Sequence, residues 1–249
     1  MNATPDPRPR TRDDGFEAHG REETYSSRDG TRIFTRSWRP QRQPRAVVVI
    51  CHGVNSHGGQ YAWTGQQLRD AGFAVYALDL RGRGRSDGPR FRIDDVSEYT
   101  ADLGALIEIA REREPGLDVF LLGHSAGGVV SCTYLLDHSS GIAGFVCESF
   151  AFQVPAPAFA LAVIKLLARL APGLPVLKLH NRDFSRDPLA VQALESDPLT
   201  RDVSIGENYP VVLTDTCGVA GDLIVHGETG FVFPVGDVES AVTAVSALK

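Results

Sequence analysis

The chain has 249 residues and a net charge of −6, which is enough length for one large α/β domain or two small ones. Arg clusters near the N-terminus but is interleaved with Asp and Glu, so the charge pattern argues for no nucleic-acid partner. No apolar run reaches the ~18 residues of a membrane span, and the first residues lack the apolar centre of a signal peptide, so a cytoplasmic location is expected.

Residues 1–22, with Pro5, Pro7 and Pro9, read as a solvated, disordered end. Glu23 to Pro40 alternates around Arg28-Asp29-Gly30, a hairpin signal of the type I′ kind. Ala46-Val47-Val48-Val49-Ile50-Cys51 is a continuous apolar run, typical of a strand buried on both faces, and it ends in His52-Gly53-Val54-Asn55-Ser56-His57. Gln60 to Ala71 reads as a helix stopped by Gly72. Phe73 to Leu80 is a second buried strand that runs into Arg81-Gly82-Arg83-Gly84-Arg85-Ser86. Asp95-Val96-Ser97-Glu98 opens a helix in which Tyr99, Leu103, Leu106, Ile107 and Ala110 recur at helical spacing, and Pro115-Gly116 closes it.

The centre of the chain is Gly123-His124-Ser125-Ala126-Gly127. It follows the apolar Val119 to Leu122 and precedes a helical stretch from Val129 to Asp137. A strand, then Gly-x-Ser-x-Gly, then a helix is the setting of a nucleophile elbow. The turn is so tight that its neighbours must be small, which Gly123, Ala126, Gly127 and Gly128 satisfy. Ser125 is the candidate nucleophile, and the amide of Ala126 can face a developing oxyanion. A further strand runs from Ile142 to Cys147. This alternation predicts an α/β fold, a mostly parallel sheet with helices on both faces. Chemistry in such sheets sits at the carboxyl ends of the strands, so the loops at His52, Arg81 and Ser125 should converge. Cys51, Cys132, Cys147 and Cys217 have no metal or redox spacing and read as free thiols of a reducing compartment; no metal or cofactor is implied.

Three motifs carry a family resemblance: His52-Gly53-x-x-x-His57, Asp79-Leu80-Arg81-Gly82-x-Gly84-x-Ser86 and Gly123-His124-Ser125-Ala126-Gly127-Gly128. Together they resemble the monoacylglycerol lipase-like α/β-hydrolases, a group overlapping those called serine aminopeptidase-like or lysophospholipase-like. The resemblance covers about residues 23–202. It implies an α/β-hydrolase core at 23–150 and a helical cap at 151–202. It also implies Ser125 as nucleophile, with the backbone N–H groups of Val54 and Ala126 as the oxyanion hole. The implied substrate is a small lipophilic ester. Arg83 departs from the family, which often has His between the two glycines. In this fold the triad runs in the order Ser, acid, His, so His52, His57 and His124 precede the expected base and read as structural.

Ala158 to Ala171 is almost wholly apolar, broken by Lys165 and Arg169, and is the expected cap helix. Its underside would cover an acyl chain, and an apolar outer face would offer a peripheral membrane contact. After about Asp202 the resemblance stops. Leu223-Ile224-Val225-His226-Gly227-Glu228-Thr229-Gly230 looks superficially like the acid motif, but Gly230 stands where the acid belongs, and no histidine follows His226. The formal order Ser125, Asp215 or Asp222, His226 remains, with Asp222 as the candidate acid and His226 as the candidate base. Residues 208–249, through Pro210, Gly218, Gly227, Gly230, Pro234 and Gly236, resemble instead the end of the nucleotide-sugar-binding domain of retaining glycosyltransferases. The C-terminal part, 203–249, is thus expected to be atypical or incomplete. The leading expectation is a serine ester hydrolase of weak or lost activity. The alternatives are a non-catalytic hydrolase fold binding an apolar ligand and a sugar-nucleotide-binding fragment.

Overall fold

The computed structural model describes residues 20–149, 181–183 and 185–200. The expected cap helix at 158–171, the segment 203–249 with Asp222 and His226, and the N-terminal stretch before Gly20 lie outside the described residues.

Six strands form one sheet: β1 (Arg21–Ser26), β2 (Arg32–Trp38), β3 (Val47–Cys51), β4 (Ala74–Leu78), β5 (Val119–His124) and β6 (Gly144–Glu148). Their order is β1-β2-β4-β3-β5-β6. β1 and β2 pair antiparallel, as do β2 and β4, whereas β4-β3-β5-β6 is parallel throughout. The four apolar runs of the sequence are therefore neighbours in space, as the alternation of strand and helix requires.

β1 begins at Arg21, before the expected boundary, because Arg21 pairs with Ser37 in the ladder and Glu22 meets the buried Arg36 at 3.3 Å. The hairpin turn also differs from expectation. Gly30 N–H donates to Ser27 O, and only Gly30 takes positive φ, at 85°, while Arg28 and Asp29 do not. The bend is therefore a type I turn followed by a left-handed glycine, since a type I′ turn needs positive φ at both central residues.

Helices α1 (Ala62–Asp70), α2 (Val96–Arg113) and α3 (Ala126–Asp137) flank the sheet, and α4 (Pro188–Ser196) follows later in the chain. Alternation along β3 divides the core into two layers. Val47, Val49 and Cys51 pack with Leu103, Leu106 and Ile107 of α2 and with Val130 and Tyr134 of α3. Val48 and Ile50 pack with Leu68 of α1, Trp38 and Phe120. Asp95 caps α2 by accepting from Ser97 N–H, as its sequence signature requires. Arg81 fixes the start of the same helix to the sheet: its guanidinium forks onto the fully buried Asp102 at 2.7 Å on both arms and also reaches Glu98 and Asp29.

Candidate active site

β5 delivers Ser125 into a backbone conformation that few L-residues adopt, φ 53° and ψ −118°. The conformation is held from both sides. Ser125 N–H donates to Glu148 O at the end of β6, and Ser125 O accepts from Gly128 N–H and Val129 N–H of α3. Strain of this kind persists only where the surroundings over-determine it, and it is common at functional sites. The small residues around the serine have specific reasons. A side-chain carbon on Gly127 would stand 2.0 Å from Cys51 O, and one on Gly123 would stand 2.7 Å from Gly128 Cα. The first turn of α3 is therefore pressed against the end of β3, and β5 against the helix start.

That packing brings the loop after β3 to the serine. A carbon added at Gly53 would lie 3.2 Å from Ser125 Cβ and 3.1 Å from His124 Nδ1. Val54 follows at once, half-buried, in the turn that leaves β3. Ala126 opens α3, so its N–H is one of the donors that a helix start leaves without an intrahelical acceptor. The helix start carries partial positive charge and suits a developing anion.

The loop from 52 to 61 is braced by groups far apart in sequence. Asp79 is the hub: its carboxylate accepts from Gly58 N–H at 2.7 Å, from Arg85 N–H at 2.9 Å and from Arg36 Nη1 at 2.9 Å. Gly84 must be glycine, because an added carbon would lie 2.1 Å from Asp79 Oδ2. The motif Asp-Leu-Arg-Gly-x-Gly-x-Ser is thus a bracket for the neighbouring loop, and Ser86 closes it by donating to Asp79 O and accepting from Phe34 N–H.

The three histidines near the strand ends each have fixed partners. Leu80 N–H donates to His52 Nε2, which leaves Nδ1–H to donate to Gly53 O at 2.7 Å. Burial pushes the His52 imidazole down to about 4, so it stays neutral. Gly59 N–H donates to His57 Nδ1, and His57 Nε2–H donates to Asp197 Oδ2 at 2.8 Å. His124 Nδ1 is hydrogen-bonded to Tyr61 Oη at 2.8 Å. Burial lowers the His124 imidazole below its ordinary value, against the pull of Glu148. Burial raises the Tyr61 phenol far above its own, so Tyr61 keeps its proton. His138, at the end of α3, stacks on Tyr134 and bonds to Tyr134 O.

The residues beyond the expected cap return to this loop. Asn55 Nδ2 donates to Asn181 Oδ1 at 2.7 Å, Asp197 takes His57, and Arg90 Nη2 donates to Leu199 O at 3.0 Å. Tyr61 belongs to no motif, and the stretches Asn181–Pro188 and Ser196–Leu199, which resemble the family's exit from the cap, announce none of these bonds. Asp197 stands 140 positions from its histidine, and no local pattern announces such a pair. The sequence candidates Ser125, Val54 and Ala126 stand on the two loops that the glycines bring together, whereas Asp222 and His226 are outside the described residues.

Known proteins agree with this architecture. The serine aminopeptidase S33 family model matches residues 42–210. The monoacylglycerol lipase of Mycolicibacterium smegmatis is 34% identical over 243 residues, covering 91% of this chain and 85% of its own. The monoglyceride lipase of Homo sapiens is 31% identical over 174 residues, and the chain spans only 57% of that relative's length. Among solved structures, the monoacylglycerol lipase of Paleococcus ferrophilus superposes with a TM-score of 0.58 at 34% identity, over 68% of this chain and 63% of that one. The chain belongs to the serine aminopeptidase S33 family and has the α/β-hydrolase fold.

Proposed function

We propose that the chain is a serine ester hydrolase that acts on monoacylglycerol-like or other lipophilic carboxylic esters through an acyl-enzyme at Ser125. The observation that carries this reading is the strained Ser125 backbone at the strand-to-helix turn, with the Gly53 loop packed directly against it. In this mechanism Ser125 Oγ attacks the acyl carbonyl, a histidine takes its proton, and the alcohol leaves with a proton returned from that histidine. Val54 N–H and Ala126 N–H hold the tetrahedral oxyanion. Water then attacks the acyl-enzyme by the same route in reverse and frees the fatty acid. The lipase names of the relatives support a lipophilic ester as substrate.

The base and acid are the open members of this set. Asp222 and His226 are proposed for them, and the short step between the two makes slow turnover the expected behaviour. The glycosyltransferase-like reading of residues 208–249 gains no support from the family match. A match over 91% of the chain to a lipase necessarily runs into that segment, which favours a hydrolase origin for it.

Among the described residues no helix is long and apolar enough to cross a membrane. Contact with lipid is assigned in this proposal to the cap. Cys51 is a buried free thiol, which suits a reducing, cytoplasmic setting. The test is labelling with a fluorophosphonate followed by peptide mapping, beside turnover of a short p-nitrophenyl ester and of a monoacylglycerol. Label on Ser125 and its loss in Ser125→Ala support the proposal; label elsewhere or none at all overturns it.

A further inference from the structure

Val54 lies between two anchored neighbours. On one side Gly53 O accepts from His52 Nδ1–H at 2.7 Å. On the other side Asn55 Nδ2 donates to Asn181 Oδ1 at 2.7 Å, across 126 positions of sequence. The first anchor is local and belongs to the end of β3. The second comes from the short 3-10 turn Asn181–Asp183, which follows the expected cap. The other brace from that part of the chain, Asp197 on His57, holds the loop further on, beyond Ser56.

Both amides are buried, Asn55 with 7% of its surface exposed and Asn181 with 2%. Among the described residues Asn55 Oδ1 and Asn181 Nδ2 have no partner, so each side chain makes the one hydrogen bond that joins the pair. Turning both amides over exchanges donor and acceptor and leaves the same single bond. Partly satisfied buried amides are costly, and an apolar pair of the same shape fills the space without that cost. What the amide pair adds is direction, because a hydrogen bond fixes distance and angle whereas apolar contact is non-directional. Direction matters at this point of the loop. An oxyanion donor works only when it lies roughly 3 Å from where the charged oxygen forms. Val54 and Asn55 share a turn, so a shift of Asn55 passes directly to the peptide units of Val54.

We propose that Asn55 and Asn181 are positioning residues for Val54 N–H. Their bond sets the direction of that amide, so the oxyanion hole is completed by the segment that follows the expected cap. The inference rests on the reading of Ser125 as nucleophile and of Val54 as oxyanion donor.

The experiment measures how fast a fluorophosphonate labels Ser125 in the full chain, over a range of probe concentrations. The maximal rate and the half-saturating concentration are then obtained separately. In this reaction Ser125 Oγ bonds to phosphorus, its proton passes to a base, fluoride departs, and the phosphoryl oxygen lies in the oxyanion hole. Removing an oxyanion donor costs about 10²–10³ in rate, so a donor turned out of line is expected to cost about 10-fold. Asn55→Ala and Asn181→Ala should each show that loss in the maximal rate, with the half-saturating concentration held within about 2-fold. The double variant should lose no more than either alone. Asn55→Leu or Asn181→Leu, which fills the space without the bond, replaces an alanine variant that does not fold. A merely structural pair would lower the melting temperature and leave the maximal rate unchanged, and that result overturns the proposal. Losses that add in the double variant, or a change confined to the half-saturating concentration, overturn it as well. A wild type that takes no label at Ser125 removes the reading on which the proposal stands, whereas a labelled wild type with equally fast variants removes the proposal alone.

Discussion

Leu80 donates its backbone N–H to His52 Nε2 at 2.9 Å, and that bond decides the charge of the imidazole. A nitrogen that accepts cannot also carry a proton, and the ring is fully buried. Protonating His52 therefore breaks the bond between the two loops that flank the site. Burial moves it from 6.5 down to about 4 in the folded chain.

The sign follows directly. Between pH 6.5 and 4 the unfolded chain binds a proton at His52 that the folded chain refuses, so stability rises with pH across this window and is lost as pH falls. The full shift corresponds to about 3 kcal/mol by pH 4. His124, also lowered by burial, adds in the same sense. Burial, the largest single influence on Asp197, raises its carboxyl, but the hydrogen bonds from His57, Leu199 N–H and Gln60 together lower it, so it loses stability only below its ordinary 3.8 and does not blur the window. Urea midpoints measured from pH 7 to pH 4 should fall steeply in the wild type and less steeply in His52→Gln. Equal slopes for the two proteins would refute the assignment.

Ser125 should show a conflict between stability and function. Its φ of 53° and ψ of −118° suit glycine and strain any residue with a Cβ. Ser125→Ala keeps the strain, whereas Ser125→Gly relieves it. The glycine variant is expected to be more stable than the alanine variant by about 1–2 kcal/mol, although glycine gains more freedom when unfolded. Both lose the nucleophile. Chemical denaturation of the two variants is the measurement, and an alanine variant as stable as the glycine variant would show an unstrained turn.

His57 and Asp197 should behave as a clasp. The pair lies between a buried ring and a carboxylate with 22% side-chain exposure, so screening reduces its worth. Asp197→Ala is expected to cost about 1–2 kcal/mol, as for a hydrogen bond to a charged group. The local effect is more diagnostic. Amide exchange should quicken in α4, at Leu199 and Thr200, and at Gly58 and Gly59, while α2 stays protected. Unchanged exchange in the 57–60 loop would mean that Asp79 alone holds it.

The sheet was legible because its evidence is local. Val47 to Cys51 and Ala74 to Leu78 are apolar on both faces, and Gly123 to Gly128 announces the turn by its lack of side chains. The braces were not legible, because each joins residues far apart. Asn55 meets Asn181, His57 meets Asp197, and Tyr61 meets His124, and none of these pairs leaves a period or a spacing. The hairpin at Ser27–Gly30 was misread for a different reason. Asp-Gly suits both a type I′ turn and a type I turn closed by a left-handed glycine, and the register of β1 against β2 makes the choice. The nucleophile half of the site follows from one turn, whereas an acid and a base need elements folded from the distant end of the chain.

The last prediction concerns turnover. A serine hydroxyl is a weak nucleophile at neutral pH without a neighbouring base. His52 and His57 are unsuited to that task, since each uses both ring nitrogens to hold backbone or carboxylate groups. His124 is turned to Tyr61 through Nδ1 and is further disfavoured as a proton acceptor by burial. His226 is then the candidate base, with Asp222 as its acid, at a spacing too short for the strand-helix unit that ordinarily separates them. Members of a triad act as a unit, so a displaced base costs nearly as much as an absent one. What remains is the oxyanion hole and binding, roughly 10³–10⁴-fold over water. The expected result is slow hydrolysis of a short p-nitrophenyl ester that disappears in Ser125→Ala and changes little in His226→Ala. Fast hydrolysis abolished by both substitutions would refute this expectation and establish His226 as the base. Hydrolysis that survives Ser125→Ala would remove Ser125 from the mechanism.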